Sequence, residues 1–367
     1  MSAVQPTATG TAVGKGPILE VTGLVKHFGQ PSRFSKRGRS GAVRAVDGVS
    51  LTVGHGETLG VVGESGCGKS TLSRLIVRLL DPTSGSITFD DRDLTQLRGQ
   101  ALREARRGLQ MVFQDPFASL NRRMTVGQIV AEPIRMLGDS NRSRIETRTS
   151  QLLSFVGLSG QHLDRFPHEF SGGQRQRISI ARALALDPRL LILDEPVSAL
   201  DVSVQAQILN LVKDLQGQFG LSYIFISHDL SVVSHIADRV LVMYAGQIIE
   251  SGTRGDVFTR SSHPYTHALL SAVPTHDVAR GERIVLGGEV PNPASPPSGC
   301  RFRTRCWKAT VKCADEAPLL IERGTGHPVA CHYPSTDPTD GRAPLADPAL
   351  TMSAPADPAR PLFQEGE

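Results

Sequence analysis

No apolar run in this 367-residue chain approaches the roughly 20 residues that a bilayer-spanning helix needs. The opening stretch MSAVQPTATGTAVGKGP also lacks the apolar core of a secretory signal, so the chain is expected to stay in the cytoplasm. A net charge of +4 is too small, at this length, to argue for nucleic acid as a partner. No internal repeat is visible, which leaves room for only one large core. Cysteine is scarce, with five in all, yet four of them, Cys300, Cys306, Cys313 and Cys331, fall in one short region near the C-terminus. A cytoplasmic setting disfavours structural disulfides, so clustered cysteines there read as metal ligands or as ordinary buried residues.

What is present is globular material, 39% hydrophobic, with ends of a different character. Residues 1–16 are small and polar, and the run after about 334 is rich in Pro, Ala and Asp; both read as disordered. Between them, short β-type runs (TLGVVG, SGSITFD, LLILDE, SYIFIS) alternate with helix-like stretches such as Lys69 to Leu80 and Asp201 to Gln218. That alternation predicts an α/β core built on a mostly parallel sheet.

The strongest local signal is GESGCGKST, residues Gly63, Glu64, Ser65, Gly66, Cys67, Gly68, Lys69, Ser70 and Thr71. It matches G-x-x-x-x-G-K-[ST], directly after an apolar strand and directly before a helical pattern. The glycines let the backbone curl so that successive N–H groups and the helix N-terminus face a triphosphate. Lys69 then reaches the β- and γ-phosphates, and Ser70 offers its hydroxyl to Mg²⁺. A Gly-rich structural turn is the competing reading, and the flanking strand and helix count against it. Farther on, the apolar run Leu190 to Leu193 ends in two adjacent carboxylates, Asp194 and Glu195. A buried strand thus delivers acids to the C-terminal edge of the sheet. Asp194 is expected in the magnesium shell and Glu195, pointing elsewhere, is expected to polarise the attacking water.

Three further stretches, FQDP, FSGGQRQR and SHD, follow in order, and with them the sequence resembles the ATP-binding subunit of ABC transporters over roughly residues 17–260. The resemblance implies a P-loop nucleotide-binding domain with a parallel-sheet core, an antiparallel β subdomain and a helical subdomain at about 115–180. It implies that Ser171, Gly172, Gly173 and Gln174 are the signature, presented to a nucleotide held by a second subunit, with Phe170 in place of the usual Leu. The helix opening at SGGQ is by itself suited to an anion. By the same resemblance Gln114 contacts magnesium and the attacking water, His228 contacts the γ-phosphate, and Asp201, in SALD, lies at a dimer seam. Phe28 matches the aromatic residue that stacks on adenine, although an ordinary core role fits it nearly as well.

Longer phrases, QDPFASLNRRMTVGQIVAEP, PVSALDVSVQAQILNLV and SSHPYTHALLSAVP, resemble the subgroup that powers bacterial import of dipeptides, oligopeptides and sometimes nickel. This implies two membrane permease subunits, a second and related ATPase subunit in a heterodimer, a solute-binding protein acting indirectly, and a place on the cytoplasmic face of the membrane. Nickel or another small solute is the alternative cargo; a soluble ABC ATPase of translation or DNA repair is the alternative class. Such proteins usually carry two cores or a long coiled coil, and neither is visible. The domain limits expected are 17–262 for the ATPase, 263–334 for a cysteine-bearing C-terminal module, and 335–367 for the tail. A basic insertion, with Arg33, Lys36, Arg37, Arg39 and Arg44, interrupts the ATPase part and reads as a solvated loop or as a contact for anionic lipid or acidic loops.

The cysteine spacing, C-x5-C-x6-C-x17-C, identifies no metal by itself. The phrases GCRFRTRCWKA, CADEAPLL and HPVACHYP resemble the C-terminal segment of the peptide-import ATPases, some of which hold a [4Fe-4S] cluster on four such cysteines. The resemblance implies that cluster here; Zn²⁺ on the same thiolates, or four reduced thiols, are the alternatives. Phe302 and Trp307 are expected to shield it.

Overall fold

The computed structural model describes residues 16–29, 42–138, 141–273 and 284–335. Both chain ends, and Arg33, Lys36, Arg37 and Arg39 of the basic insertion, lie outside the described residues. The chain divides into two compact units. One runs up to Lys26 and continues through Val46–Val62 and Lys69–Val240; the other takes His27–Ala45, the short piece Gly63–Gly68, and everything from Leu241 onward.

Most of the first unit's structure follows from two kinds of strand. β1 (Leu19–Phe28) and β2 (Val43–Val53) alternate buried and exposed positions along much of their length, the pattern of a sheet with one wet face. They join β4 (Ser84–Phe89) and β5 (Arg92–Asp93) in a four-stranded sheet of order β2-β1-β4-β5, in which β1 pairs antiparallel with β4. By contrast β3 (Thr58–Val62), β7 (Leu190–Asp194) and β8 (Ser222–Ser227) are buried at every residue. With β6 (Leu109–Val112) they run parallel in the order β3-β8-β7-β6, as continuous apolar runs should. The strands read from TLGVVG, LLILDE and SYIFIS are therefore parallel-core strands, whereas SGSITFD belongs to the antiparallel sheet.

Register is what makes this sheet useful. Val62 lies opposite Ser227, Ile226 opposite Asp194, and Leu193 opposite Val112. The four strands therefore end in one row, and the segments leaving them start side by side at the carboxyl edge. The stretch read as mostly helical holds helices Pro116–Ser119, Val126–Met136 and Arg142–Phe155. Each starts on a side-chain cap, from Asp115, Thr125 and Asn141 respectively, which satisfies N–H groups the helix cannot.

In the second unit, β9 (Arg239–Tyr244, entered at Leu241) and β10 (Gln247–Thr253) are followed by helix Pro264–Ser271. Two two-residue strands near the C-terminus, β11 (Ile321–Glu322) and β12 (Pro328–Val329), extend the sheet beyond β10 through the β10–β12 pairing. The buried Glu250 of β10 fixes this arrangement. Its carboxylate accepts from the N–H groups of Ser262 and His263 and contacts His327 Nε2 at 2.7 Å. A buried carboxylate needs such partners.

Candidate active site

Three residues that sequence motifs singled out far apart meet at the carboxyl edge of the parallel strands. Glu195 follows β7, and its Oε2 lies 2.9 Å from Gln114 Nε2 and 3.2 Å from His228 Nδ1. Gln114 stands two residues past β6 and His228 directly after β8. Glu195 adopts a positive φ of 47° while its N–H donates to Ile226 O at 2.9 Å. A left-handed carboxylate residue at a strand end is costly and persists only where its surroundings hold it. Its side chain is 12% exposed, and His228 is 54% exposed, so the cluster opens to water on the histidine side.

Asp194 is buried and turned the other way. Its Oδ1 accepts from Ser70 Oγ at 3.1 Å and its Oδ2 from Ser73 Oγ at 3.4 Å. Burial pushes its carboxyl above the ordinary range, opposed by these hydroxyls and by Arg74. Ser70 and Asp194 thus present hard oxygen donors side by side, a set that fits Mg²⁺. Lys69, directly before, opens helix Lys69–Ile76 and is buried.

The preceding loop belongs to the second unit. A Cβ on Gly63 would sit 2.2 Å from Met243 O, and one on Gly68 2.1 Å from Ala45 O. At φ of 154° and 108° these positions take glycine for both space and backbone. Cys67 is buried and its carbonyl accepts from Gly246 N at 2.9 Å. Ser65 and Gly66 at the loop's tip are exposed.

The signature stretch starts helix Gly172–Leu184 with a capping box. Ser171 Oγ accepts from Gln174 N at 3.3 Å, and Gln174 Oε1 accepts from Ser171 N at 3.0 Å. Gly173 has a packing role that the sequence did not disclose: a Cβ there would lie 2.4 Å from Val204 Cγ1. Asp201 caps helix Val202–Phe219, accepting from Val204 N at 3.0 Å and from Ser203 Oγ at 2.7 Å. The Ser203 hydroxyl and this N–H hold its carboxyl below the usual range. Phe28 stands exposed at the end of β1.

Of the four clustered cysteines, Cys306, Cys313 and Cys331 are buried and Cys300 partly so. Cys300 N donates to Cys313 O at 2.8 Å. Burial pushes Cys300 up to about 11 and Cys306 and Cys331 up to about 12, with a smaller upward contribution from the charge of neighbouring cysteines, Cys313 among them. Yet among the described residues no group of three or more His, Cys, Asp or Glu could hold a metal. The thiols as placed do not form a ligand set. Phe302 is buried and packs its ring against Tyr244, Tyr265 and His263 at 5.2, 5.4 and 5.6 Å.

Sequence reasoning missed the residues that hold Glu64. Tyr265 Oη accepts from Glu64 N at 2.8 Å, and Arg305 donates to both Glu64 carboxylate oxygens. One signal was available: RFRTR places three arginines in the cysteine-bearing segment, and arginine is rarely buried without a partner.

A Gly-rich loop after β3, a serine hydrogen-bonded to a buried aspartate, and a Gln–Glu–His cluster on one sheet edge are the features expected of an ABC-type ATPase. Residues 46–198 match the ABC transporter family, and residues 249–313 match the C-terminal region of oligopeptide/dipeptide transporters. The chain is 51% identical over 345 residues to a probable peptide ABC transporter ATP-binding protein, y4tS, of Sinorhizobium fredii, covering 94% of this chain and 95% of that one. It is 51% identical over 326 residues to the oligopeptide transport ATP-binding protein AppF of Bacillus subtilis, covering 88% and 99%. Among solved structures it is similar to cbiO1 from Clostridium perfringens, part of the ABC transporter complex cbiONQ, with a TM-score of 0.57 and 30% identity over 66% of this chain and 91% of that one. A dimeric ATP-binding cassette, MJ0796, bound to ADP and Pi, gives 0.57 and 26% over 64% and 98%. The chain belongs to the family of peptide ABC transporter ATP-binding proteins. Among the described residues no helix is long and apolar enough to cross a membrane.

Proposed function

We propose that this chain is the ATP-hydrolysing subunit that energises import of di- or oligopeptides through separate membrane permease subunits. The observation that carries the reading is the meeting of Gln114, Glu195 and His228 on one sheet edge, in a chain about half identical to peptide-import ATPases over most of its length.

In this reading the N–H groups of residues 63–71 and Lys69 hold the phosphates of ATP, and Ser70 and Asp194 hold Mg²⁺, which when bound neutralises charge on the β- and γ-phosphate oxygens. Glu195 accepts a proton from the water that attacks the γ-phosphorus, as ATP and water become ADP and phosphate. Both contacts of the cluster fall on Oε2, and Oε1 is the oxygen assigned to that water. Gln114 and His228 orient Glu195, and Phe28 stacks on the base. Ser171, Gly172, Gly173, Gln174 and Asp201 face a nucleotide on a second ATPase subunit, related in sequence, so that ATP favours the closed pair and hydrolysis releases it.

A groove lined by Pro116, Phe117, Leu120, Arg122, Pro167 and Arg175 is assigned to the permease. Its first lining residue, Pro116, stands two positions after Gln114, its Phe117 is 47% exposed, and the guanidinium of Arg175 lies 3.9 Å from that ring's centre. The domain limits 17–262 and 263–334, the peripheral place at the cytoplasmic face of the membrane and an indirect solute-binding protein belong to the same proposal. The [4Fe-4S] cluster on Cys300, Cys306, Cys313 and Cys331, with Zn²⁺ as the alternative, is given no step. Iron, sulfide and zinc content of anaerobically purified protein decides between them: about four iron and four sulfide per chain would show the cluster.

The transport reading is tested by uptake of a labelled oligopeptide into vesicles carrying this chain and the permease subunits that copurify with it. ATP-dependent uptake that Lys69→Ala abolishes is expected. ATP hydrolysis without peptide uptake, but with uptake of nickel, would replace the cargo.

A further inference from the structure

Outside the Gln–Glu–His cluster, a second charged pair with one deeply buried partner stands at Glu64. This acid is the second residue of the phosphate loop, and its carboxylate is an awkward neighbour for a triphosphate. Arg305 meets it fork to fork: Nη1 donates to Oε2 at 2.6 Å and Nη2 to Oε1 at 3.0 Å. Such bidentate pairing fixes direction as well as charge. The Arg305 side chain is 7% exposed and that of Glu64 26%, so the pair is weakly screened. Arg305 Nη1 also donates to Tyr244 Oη at 3.4 Å.

The backbone that carries Arg305 is pinned by hydrogen bonds and packing just before it. Arg303 N donates to Cys300 O, and Arg305 N to Phe302 O, at 3.1 and 3.0 Å, closing tight turns on either side of Phe302. Phe302 is locked among Tyr244, Tyr265 and His263. Tyr265 then returns to the loop, its hydroxyl taking the Glu64 N–H. Backbone and side chain of one phosphate-loop residue are thus both held by residues from the C-terminal part of the chain.

We propose that Arg305 is a positioning residue for nucleotide binding, neutralising Glu64 and fixing the entrance of the phosphate loop so that the C-terminal region sets the chain's affinity for ATP. The proposal rests on the reading of residues 63–71 as the nucleotide loop. Two consequences separate it from a merely structural role. Removing the guanidinium leaves an unbalanced negative charge beside the phosphates, so affinity falls more for ATP than for ADP. Removing the Glu64 charge as well restores affinity, which no defect in tail folding would do.

The experiment is titration of the full-length chain with Mg²⁺ and fluorescent ATP or ADP, for wild type, Arg305→Ala, Glu64→Gln, the double variant and Lys69→Ala. Arg305→Ala is expected to weaken ATP about tenfold and ADP less, on the scale of one lost charge-assisted pair. The double variant is expected to recover at least half of that loss on a logarithmic scale. Wild-type-like ATP binding by Arg305→Ala, equal losses for ATP and ADP, or a double variant no better than Arg305→Ala would each overturn the proposal. Should Arg305→Ala not fold, Arg305→Gln takes its place with the same pattern expected. Absence of ATP binding by the wild-type chain would overturn the nucleotide-loop reading and the proposal with it, whereas Lys69→Ala alone losing ATP supports that reading and leaves Arg305 to its own variants.

Discussion

Gln114, Glu195 and His228 are assembled by backbone register, whereas Glu64 is assembled by side chains. The first three leave β6, β7 and β8, strands paired residue for residue along a parallel sheet, and the motif residues need only stand at the strand ends. Glu64 is fixed by Tyr265 and Arg305, 201 and 241 residues away in sequence. A site built on strand ends tolerates change in what surrounds it, because the sheet supplies the placement. One held by distant side chains can be tuned, or lost, by a single substitution far from the chemistry.

The largest effect is expected on the register-built side. Glu195→Gln keeps the shape of the cluster and removes the base, so steady-state ATP hydrolysis should fall at least about a hundredfold. Near-normal turnover would remove Glu195 from its role. Next comes the signature helix, where Gly173→Ala would drive a methyl to 2.4 Å from Val204 Cγ1. We expect a loss of about 1–3 kcal/mol in urea unfolding, largely recovered by adding Val204→Ala; a loss that Val204→Ala leaves intact would point to the helix terminus instead.

On the side-chain-built side, Tyr265→Phe leaves the Glu64 N–H without its acceptor and should cost about 1–3 kcal/mol, read as a lowered unfolding midpoint. An unshifted midpoint would mean that water replaces the hydroxyl. The smallest effect concerns His327. Its hydrogen bond to Glu250 raises it above its ordinary value of 6.5 against the opposing effect of burial, with Asp256 adding to the rise. A raised folded-state value means that this contribution to stability is complete below about 6.5 and fades as pH climbs through the folded-state value. The gap in thermal midpoint between wild type and His327→Gln should therefore be widest near pH 6 and narrow towards pH 9. A gap independent of pH would show that the imidazole does not gain a proton on folding.

How much of this was legible follows from the same contrast. The runs TLGVV, LLILD and SYIFIS declared buried strands because each has a mainly apolar interior, and the residues just past them declared the site. Distant partners leave no such mark: neither HPYTHALL nor RFRTR carries a period or spacing pointing to residue 64. SGGQ was legible as a helix start, and its Ser-x-x-Gln spacing is that of a capping box, whereas the crowding of Gly173 by Val204 comes from packing between helices. The aromatic neighbours of Phe302, Tyr244 and Tyr265, likewise come from distant segments and left no local mark. The spacing of the four cysteines carried no ligand geometry.

The most direct test of the division between chemistry and loop placement is the ATP dependence of hydrolysis by the full-length chain, comparing Glu195→Gln with Arg305→Ala. The account predicts that Glu195→Gln loses kcat with half-saturating ATP within about threefold of wild type, as removal of a general base should. Arg305→Ala is predicted to raise half-saturating ATP by about tenfold, a larger change than any in its kcat. Loss of the same parameter in both variants would contradict it.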